Sequence, residues 1–519
     1  MRRREYLRST VGAAGLAGAF ASTATAAGSD DAPSAQETET ATPTGTPGTA
    51  TGTSSDGFGP LARLDISNDG GGYRATEAVT TPDGRYAFVS KIDGFHVVDL
   101  ADPANPEIVA TREDILPDRG PMTSLFDIQY DSGQLVVATE GGSPITGIAV
   151  FDVRDPTEPE LFTAEPTAYS IHNFDIEDGY AYLTTGSGME VIDVSTTDAQ
   201  VVGGWSVLDY DGAYDEVPRG LRNLHDLYVQ DGRAYLAYWD AGTWVLDVSE
   251  PSEPSYLGHV ADYTVDELTS LDSENAFRNG TAPPGNDHYS QPNDDGTLLA
   301  VGKESWAVSG EDGPVGGPSG IALWDIEDPG DPEELATIDP PPTPEGESAL
   351  RSADYYTTAH NFDIAGDYLY SSWYRGGVRV HDISDPTAPE QVAGWADGET
   401  TSFWTAGAAV PGDFFVASSY EHPTDPDGPG GFFTFPDPTD NDATHPTQST
   451  VSMGGSDGSS GSTPTATAAA TPTEDPTATT ATTAETTDGS GPGFGPLAAL
   501  AGLGAGAWRL LGDNESDAE

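Results

Sequence analysis

GFHVVDLADPANPEIV, at residues 94–109, returns five more times along the chain, and this recurrence decides the fold. The other copies are GIAVFDVRDPTEPELF (147–162), GMEVIDVSTTDAQVV (188–202), GTWVLDVSEPSEPSYL (242–257), GIALWDIEDPGDPEEL (320–335) and GVRVHDISDPTAPEQV (377–392). Each reads as a glycine, an alternating apolar strand ending near Asp, a turn usually stiffened by proline, and a second short strand. One copy cannot bury its own faces, so the copies must pack on one another in a radial or stacked array. The Asp that closes each strand (Asp99, Asp152, Asp193, Asp247, Asp325, Asp382) is expected to cap the turn by accepting from backbone amides.

Around each copy the unit extends to four strands. In the third unit HNFDIE (172–177) reads as an inner strand, YAYLTT (180–185) returns after a Glu-Asp-Gly turn, and MEVIDV (189–194) and VVGGWS (201–206) follow. The second-strand pattern recurs at RYAFVS (85–90), QLVVAT (134–139), RAYLAY (233–238), TLLAVG (297–302), DYLYSS (367–372) and DFFVAS (413–418). The seventh unit ends at GFFTF (431–435) without an outer strand, whereas LARLDI (61–66) is an outer strand with no unit before it. An N-terminal strand that completes the last unit closes a ring and removes both exposed sheet edges. The expected fold is therefore all-β: a seven-bladed β-propeller of four-stranded antiparallel blades over residues 58–436. The G-φ-x-φ-x-D-φ-x-x-P pattern resembles the LVIVD-repeat family of prokaryotic β-propellers. That resemblance implies a scaffold and brings no catalytic residue with it.

Composition narrows the setting. Of 519 residues 85 are acidic and 20 basic, a formal charge of −65 spread through every segment. This suits work in molar salt, where repulsion is screened within about 3 Å. No basic stripe exists to neutralise phosphates, so nucleic acid is not an expected partner. Cysteine is absent, which excludes disulfides, thiolate metal sites and cysteine nucleophiles. Residues 1–26, with RREYLR, an apolar run and an A-x-A site, resemble a twin-arginine export signal. Residues 27–57 and 437–491 read as a disordered linker and a Thr/Ser/Pro-rich stalk. Residues 492–519 begin PGFG and resemble the PGF sorting tail of archaeal surface proteins, although they end in DNESDAE and not in a basic cluster. Together these resemblances imply a haloarchaeal surface protein, exported and held at the outer face of the membrane by a lipid or sorting anchor. Its expected form is a monomeric propeller that meets a surface ligand or protein. Asn279 opens the sequon Asn279-Gly280-Thr281 and is the expected glycosylation position.

The unrepeated parts point to the site. Long insertions (207–222, 261–287, 303–319, 339–358, 420–430) all fall in one class of connection and so on one face, whereas the opposite turns are short. Loops that vary on one face mark it as the functional one. Counted back from the inner-strand turn, His172, His225 and His360 occupy equivalent positions, His288 matches within one residue, and Glu77, Phe126 and Thr405 fill the remaining units. Four imidazoles at one level of one channel, with Glu77 as a carboxylate, form a candidate site for a transition metal (Cu, Zn, Fe or Mn). Lys91, Glu140, Trp239, Asp240, Glu304, Tyr374 and Arg375 are expected to form a ligand-binding rim beside it. No serine elbow, P-loop or dinucleotide motif occurs in its proper context. Two functions remain: a surface-anchored binding module, or a metal-dependent oxidoreductase built on the histidine cluster. The second is analogous to the seven-bladed carotenoid oxygenases and selenium-binding, methanethiol-oxidising enzymes, with which no motif is shared.

Overall fold

The glycine that opens each repeat marks where the outer strand of its blade passes too closely for a side chain. A Cβ on Gly94 would lie 1.9 Å from the Arg112 carbonyl oxygen, and one on Gly320 would lie 1.9 Å from that of Ile338. The same clash recurs at Gly147, Gly188, Gly242 and Gly377. At the other end of the strand, the Asp of all six copies accepts from the amide two residues on, as expected for a turn cap. Glycine and Asp thus fix the two ends of the third strand in each blade.

A computed structural model describes residues 53–54, 57–67, 74–271, 280–310, 313–350 and 355–439. The signal, the stalk beyond residue 439, the sorting tail and Asn279 lie outside the described residues. Seven antiparallel sheets form the blades of a propeller. The first runs Ala78–Thr80, Tyr86–Lys91, Gly94–Asp99, Glu107–Glu113 from axis to rim, and five more follow the same order. The seventh comprises Ser402–Val410, Phe414–Glu421 and Gly430–Pro436, and Ala62–Ile66 adds its outer strand, with Ala62 opposite Thr434 and Ile66 opposite Gly430. The ring therefore closes through the N-terminal strand. Thr53–Ser54, within the segment read as linker, also pairs with Glu390–Ala396 and extends the sixth blade at its open edge.

Second strands are buried along nearly their whole length, Gln134–Ala138 completely, because neighbouring blades cover both faces. Outer strands alternate with solvent, as in Glu107–Glu113. The apolar core is accordingly divided among the blade interfaces. Phe88, Phe95 and Val97 of the first blade pack with Leu135, Val137 and Ala149 of the second. Val89 and Val98 meet Phe414, Val416 and Phe432 of the seventh, so closure is also hydrophobic. Three of the short hairpins between inner and second strands have both central residues at positive φ (Ser132-Gly133, Asp178-Gly179 and Asp231-Gly232), the geometry that matches strand twist.

Carboxylates tie successive inner strands together. Asp127 accepts from the Phe174 amide (2.9 Å), Asp175 from Val229 (2.6 Å) and Asp363 from Ala408 (2.9 Å). Asp175 and Asp363 are the Asp of the repeated HNFDI string, which is thereby a blade-to-blade contact. Gly94→Ala tests the reading of the repeat glycine. Its Cβ would strike backbone that cannot move without breaking the ladder, so a loss of about 1–3 kcal/mol is expected. Thermal and denaturant unfolding in high salt measure it, and an unchanged midpoint would refute the steric account.

Candidate functional site

The four predicted histidines do converge, as neighbours in a closed ring of flat side chains around the axis. Ring-centroid separations are 4.6 Å for His172–His225, 4.4 Å for His225–His288 and 4.5 Å for His288–His360. Trp404 continues the ring 4.3 Å from His360, and Phe126 closes it, 6.3 Å from Trp404 and 6.2 Å from His172. All four imidazoles are buried. On the long-loop side Trp306, Tyr356, Tyr374, Trp404 and Tyr420 form a buried aromatic cluster beside the ring. The long insertions thus supply a cover at this point.

The imidazoles are not equivalent. Nδ1 of His360 lies 2.6 Å from the Trp404 carbonyl, so Nδ1 carries the proton and donates, leaving Nε2 with its lone pair free. His172 Nδ1 lies 3.2 Å from Glu140. Burial pulls the His172 imidazole down, but Glu140, helped by Glu304, outweighs it and the net shift is upward. His225 and His288 are held well below the usual imidazole range by burial and by the neighbouring histidines, and His360 falls to about 3, chiefly through burial. Neither nitrogen of His225 has a hydrogen-bond partner among the described residues. Glu304 approaches His288 Nε2 at 3.7 Å and accepts from the Tyr374 hydroxyl. His225, His288 and Glu304 present ligand atoms all within 4.8 Å of one another. Two neutral imidazoles and a carboxylate are a donor set for Zn, Cu, Fe or Mn. His360 neighbours His288 in the ring and the ion-paired His172 neighbours His225, and neither belongs to that set.

Glu77 is not part of the ring. The Ser90 amide donates to the Glu77 carbonyl as Thr184 does to Asn173 and Ser372 to Asn361, so Glu77 belongs one residue below the histidine level and Thr76 takes its place above. The equivalent displacement in the seventh blade comes from a bulge between Phe403 and Thr405, which brings Trp404 and not Thr405 to the ring. The carboxylates beside the imidazoles are Glu304 and Glu140, two of the predicted rim residues. Trp239, with its ring 5.5 Å from His225, and Tyr374 also join the site. The other three do not. Lys91 pairs with Asp93 and Glu113, Asp240 is buried next to Asp287 and Lys303, and Arg375 lies over the Tyr355 ring and donates to the Gly398 carbonyl. The expected open rim is largely buried, since the loops that carry it fold inward.

Below the ring the axis opens into a cavity of about 390 Å3. Glu77, Asp127, Asp175, Asp226, Asn361, Asp363 and Thr405 line it, and it continues to Asp131, Asp178 and Asp231 in the short hairpins. The chamber therefore reaches toward the short-turn face, opposite to the face that loop length singled out. Sequence reading missed this acidic layer. Its trace is a polar residue directly after the ring residue: Asp127 after Phe126, Asn173 after His172, Asp226 after His225, Asn361 after His360, Thr405 after Trp404.

Three segments, residues 83–112, 222–262 and 358–394, match the model of the LVIVD repeat. The chain is a β-propeller with LVIVD repeats. Among solved structures, this LVIVD-repeat propeller is similar to the Cps50 (Swd1) β-propeller domain of Myceliophteria thermophila, at 9% identity and a TM-score of 0.47, covering 72% of this chain and 99% of that one. It is also similar to a functionally unknown protein from Desulfotomaculum acetoxidans DSM 771, at 13% identity and a TM-score of 0.43, covering 65% and 93%. No curated protein matches the sequence.

Burial at the axis has a consequence for stability. Glu77 is pushed up from 4.5 to about 7 by burial, against hydrogen bonds from Thr405, Ala78 and Asn361. Between those values the folded chain holds a proton that the unfolded chain has released, so this group's contribution to stability falls as pH rises. In thermal melts at fixed high salt, Glu77→Gln should flatten the decline between pH 4.5 and about 7 relative to wild type. Parallel curves would show that Glu77 does not titrate in this window.

Proposed function

We propose that the protein is an exported, surface-anchored binding propeller whose axial histidines form a transition-metal centre. The observation that carries the metal is the trio His225, His288 and Glu304, with ligand atoms within 4.8 Å of one another and both nitrogens of His225 unpartnered among the described residues. A buried imidazole without hydrogen bonds is costly, and an ion that takes its lone pair offsets that cost. Glu304 is oriented by Tyr374, in the manner of outer-layer partners of metal ligands. Bound there, the ion would supply Lewis acidity or a rigid link between the fourth and fifth blades. The aromatic cluster beside the ring supports a closed, binding or structural centre over an oxidoreductase, which needs an open coordination position and a path for substrate. Export and anchoring rest on the twin-arginine-like start and the PGF-like tail.

Elemental analysis of the untagged chain, purified from a high-salt host, is the test. Near-stoichiometric Zn, Cu, Fe or Mn is expected, and the His225→Ala/His288→Ala double variant should lose it while keeping the β-sheet circular dichroism of the wild type. A wild-type chain that remains metal-free after incubation with each of the four ions would overturn the proposal.

A further inference from the structure

Directly beneath the imidazoles the chemistry changes from nitrogen to oxygen. Glu77 and Asn361 share one register level, each accepting through its carbonyl from the second strand of its blade. Asp127 and Asp226 follow ring residues Phe126 and His225 in the same way that Asn361 follows His360, and all four line the 390 Å3 chamber. None of the residues lining the chamber is Lys, Arg or His.

Asn361 carries the decisive detail. It is 8% exposed, and its Nδ2 donates to Glu77 Oε2 at 2.9 Å, which fixes the amide orientation. The remaining Oδ1 has no hydrogen-bond partner among the described residues. A buried amide oxygen left unpaired in a wall of carboxylates is an acceptor awaiting a positive centre. We propose that this layer of the axial chamber binds a largely hydrated hard divalent cation, Mg2+ or Ca2+, with Glu77, Asp127, Asp226 and Asn361 as its oxygen donors or water-bridged partners.

An all-oxygen donor set selects this class and not the ions that imidazole prefers. Among the described residues, three or more chelating atoms come within 4.8 Å of one another only at His225, His288 and Glu304. The chamber oxygens are therefore spread wider, and the ion keeps much of its water, as Mg2+ commonly does. The cavity has room for roughly a dozen waters at ~30 Å3 each, enough for a hydrated ion. Asp131, Glu177, Asp178 and Asp231 continue the negative lining toward the short-turn face and concentrate cations at the entrance. The proposal is independent of the histidine centre, because it uses different atoms of opposite ligand preference.

Mn2+ serves as probe, with its spin-resonance signal read on the full chain in molar KCl, where exposed carboxylates are screened. Beyond any ion held at the histidine centre, uptake of one further Mn2+ per chain is expected, reversed by excess Mg2+ or Ca2+ and weakened at least about tenfold by Glu77→Gln. Asp226→Asn should weaken it comparably. This variant keeps the oxygen that accepts from the Leu227 amide, so it remains informative if Glu77→Gln fails to fold. Mn2+ uptake unchanged in both variants would overturn the proposal. So would uptake that Zn2+ displaces and Mg2+ does not, since that assigns the ion to the imidazoles.

Discussion

The innermost strand of every blade has a sheet partner on one side only, and its other edge faces a narrow axis. Backbone amides there must be satisfied without a strand. Side-chain carboxylates do this work between blades: Asp127 for Phe174, Asp175 for Val229, Asp363 for Ala408, and Glu177 for the Asp231 turn. The same constraint places acids where burial makes their charge costly. Burial holds Asp175 up to about 8 in spite of the amides it accepts from. The axis of this propeller is consequently polar by structural necessity before any ligand is considered.

Much of the scaffold was legible because each repeated residue answers a local steric or hydrogen-bonding demand. The glycine admits the outer strand, the Asp caps the turn, and the unmatched LARLDI strand supplies the missing edge. The histidines were also legible, since strand starts in equivalent units fall at one axial level. Register was harder. Glu77 and Thr405 were each misplaced by one residue, the latter because a bulge at Phe403–Thr405 changes the residue count without leaving a mark in composition. Burial of the rim was hidden for a different reason. Whether Glu304 meets solvent or Tyr374 depends on loops that fold back over the axis, and loop length carries no information about direction.

The two axial layers present donor atoms of different softness. Above, the closed ring of Phe126, four histidines and Trp404 offers nitrogen in an aromatic shell. Below, carboxylates and an amide offer oxygen in a wet chamber. Asn173 joins the layers, donating from Nδ2 to the His225 carbonyl at 3.2 Å. A shift of the fourth inner strand would therefore be felt at both levels, through His225 on one side and Asp226 on the other.

The overall charge sharpens the case for cations at the axis. At −65 the exposed acids are tolerable in concentrated salt, where the screening length shrinks to about 3 Å. That screening does not extend to the chamber walls, which lie among packed blades. Backbone amides donate to Asp127, Asp175 and Asp363, and burial pushes the first two carboxyls upward. Oδ1 of Asn361 is left buried without a hydrogen-bond partner among the described residues. An ion in the chamber answers both needs at once, because it compensates the buried charge and gives that oxygen a partner. Salt in solution screens acids at the surface but not those of the axis, which the proposed ion would compensate.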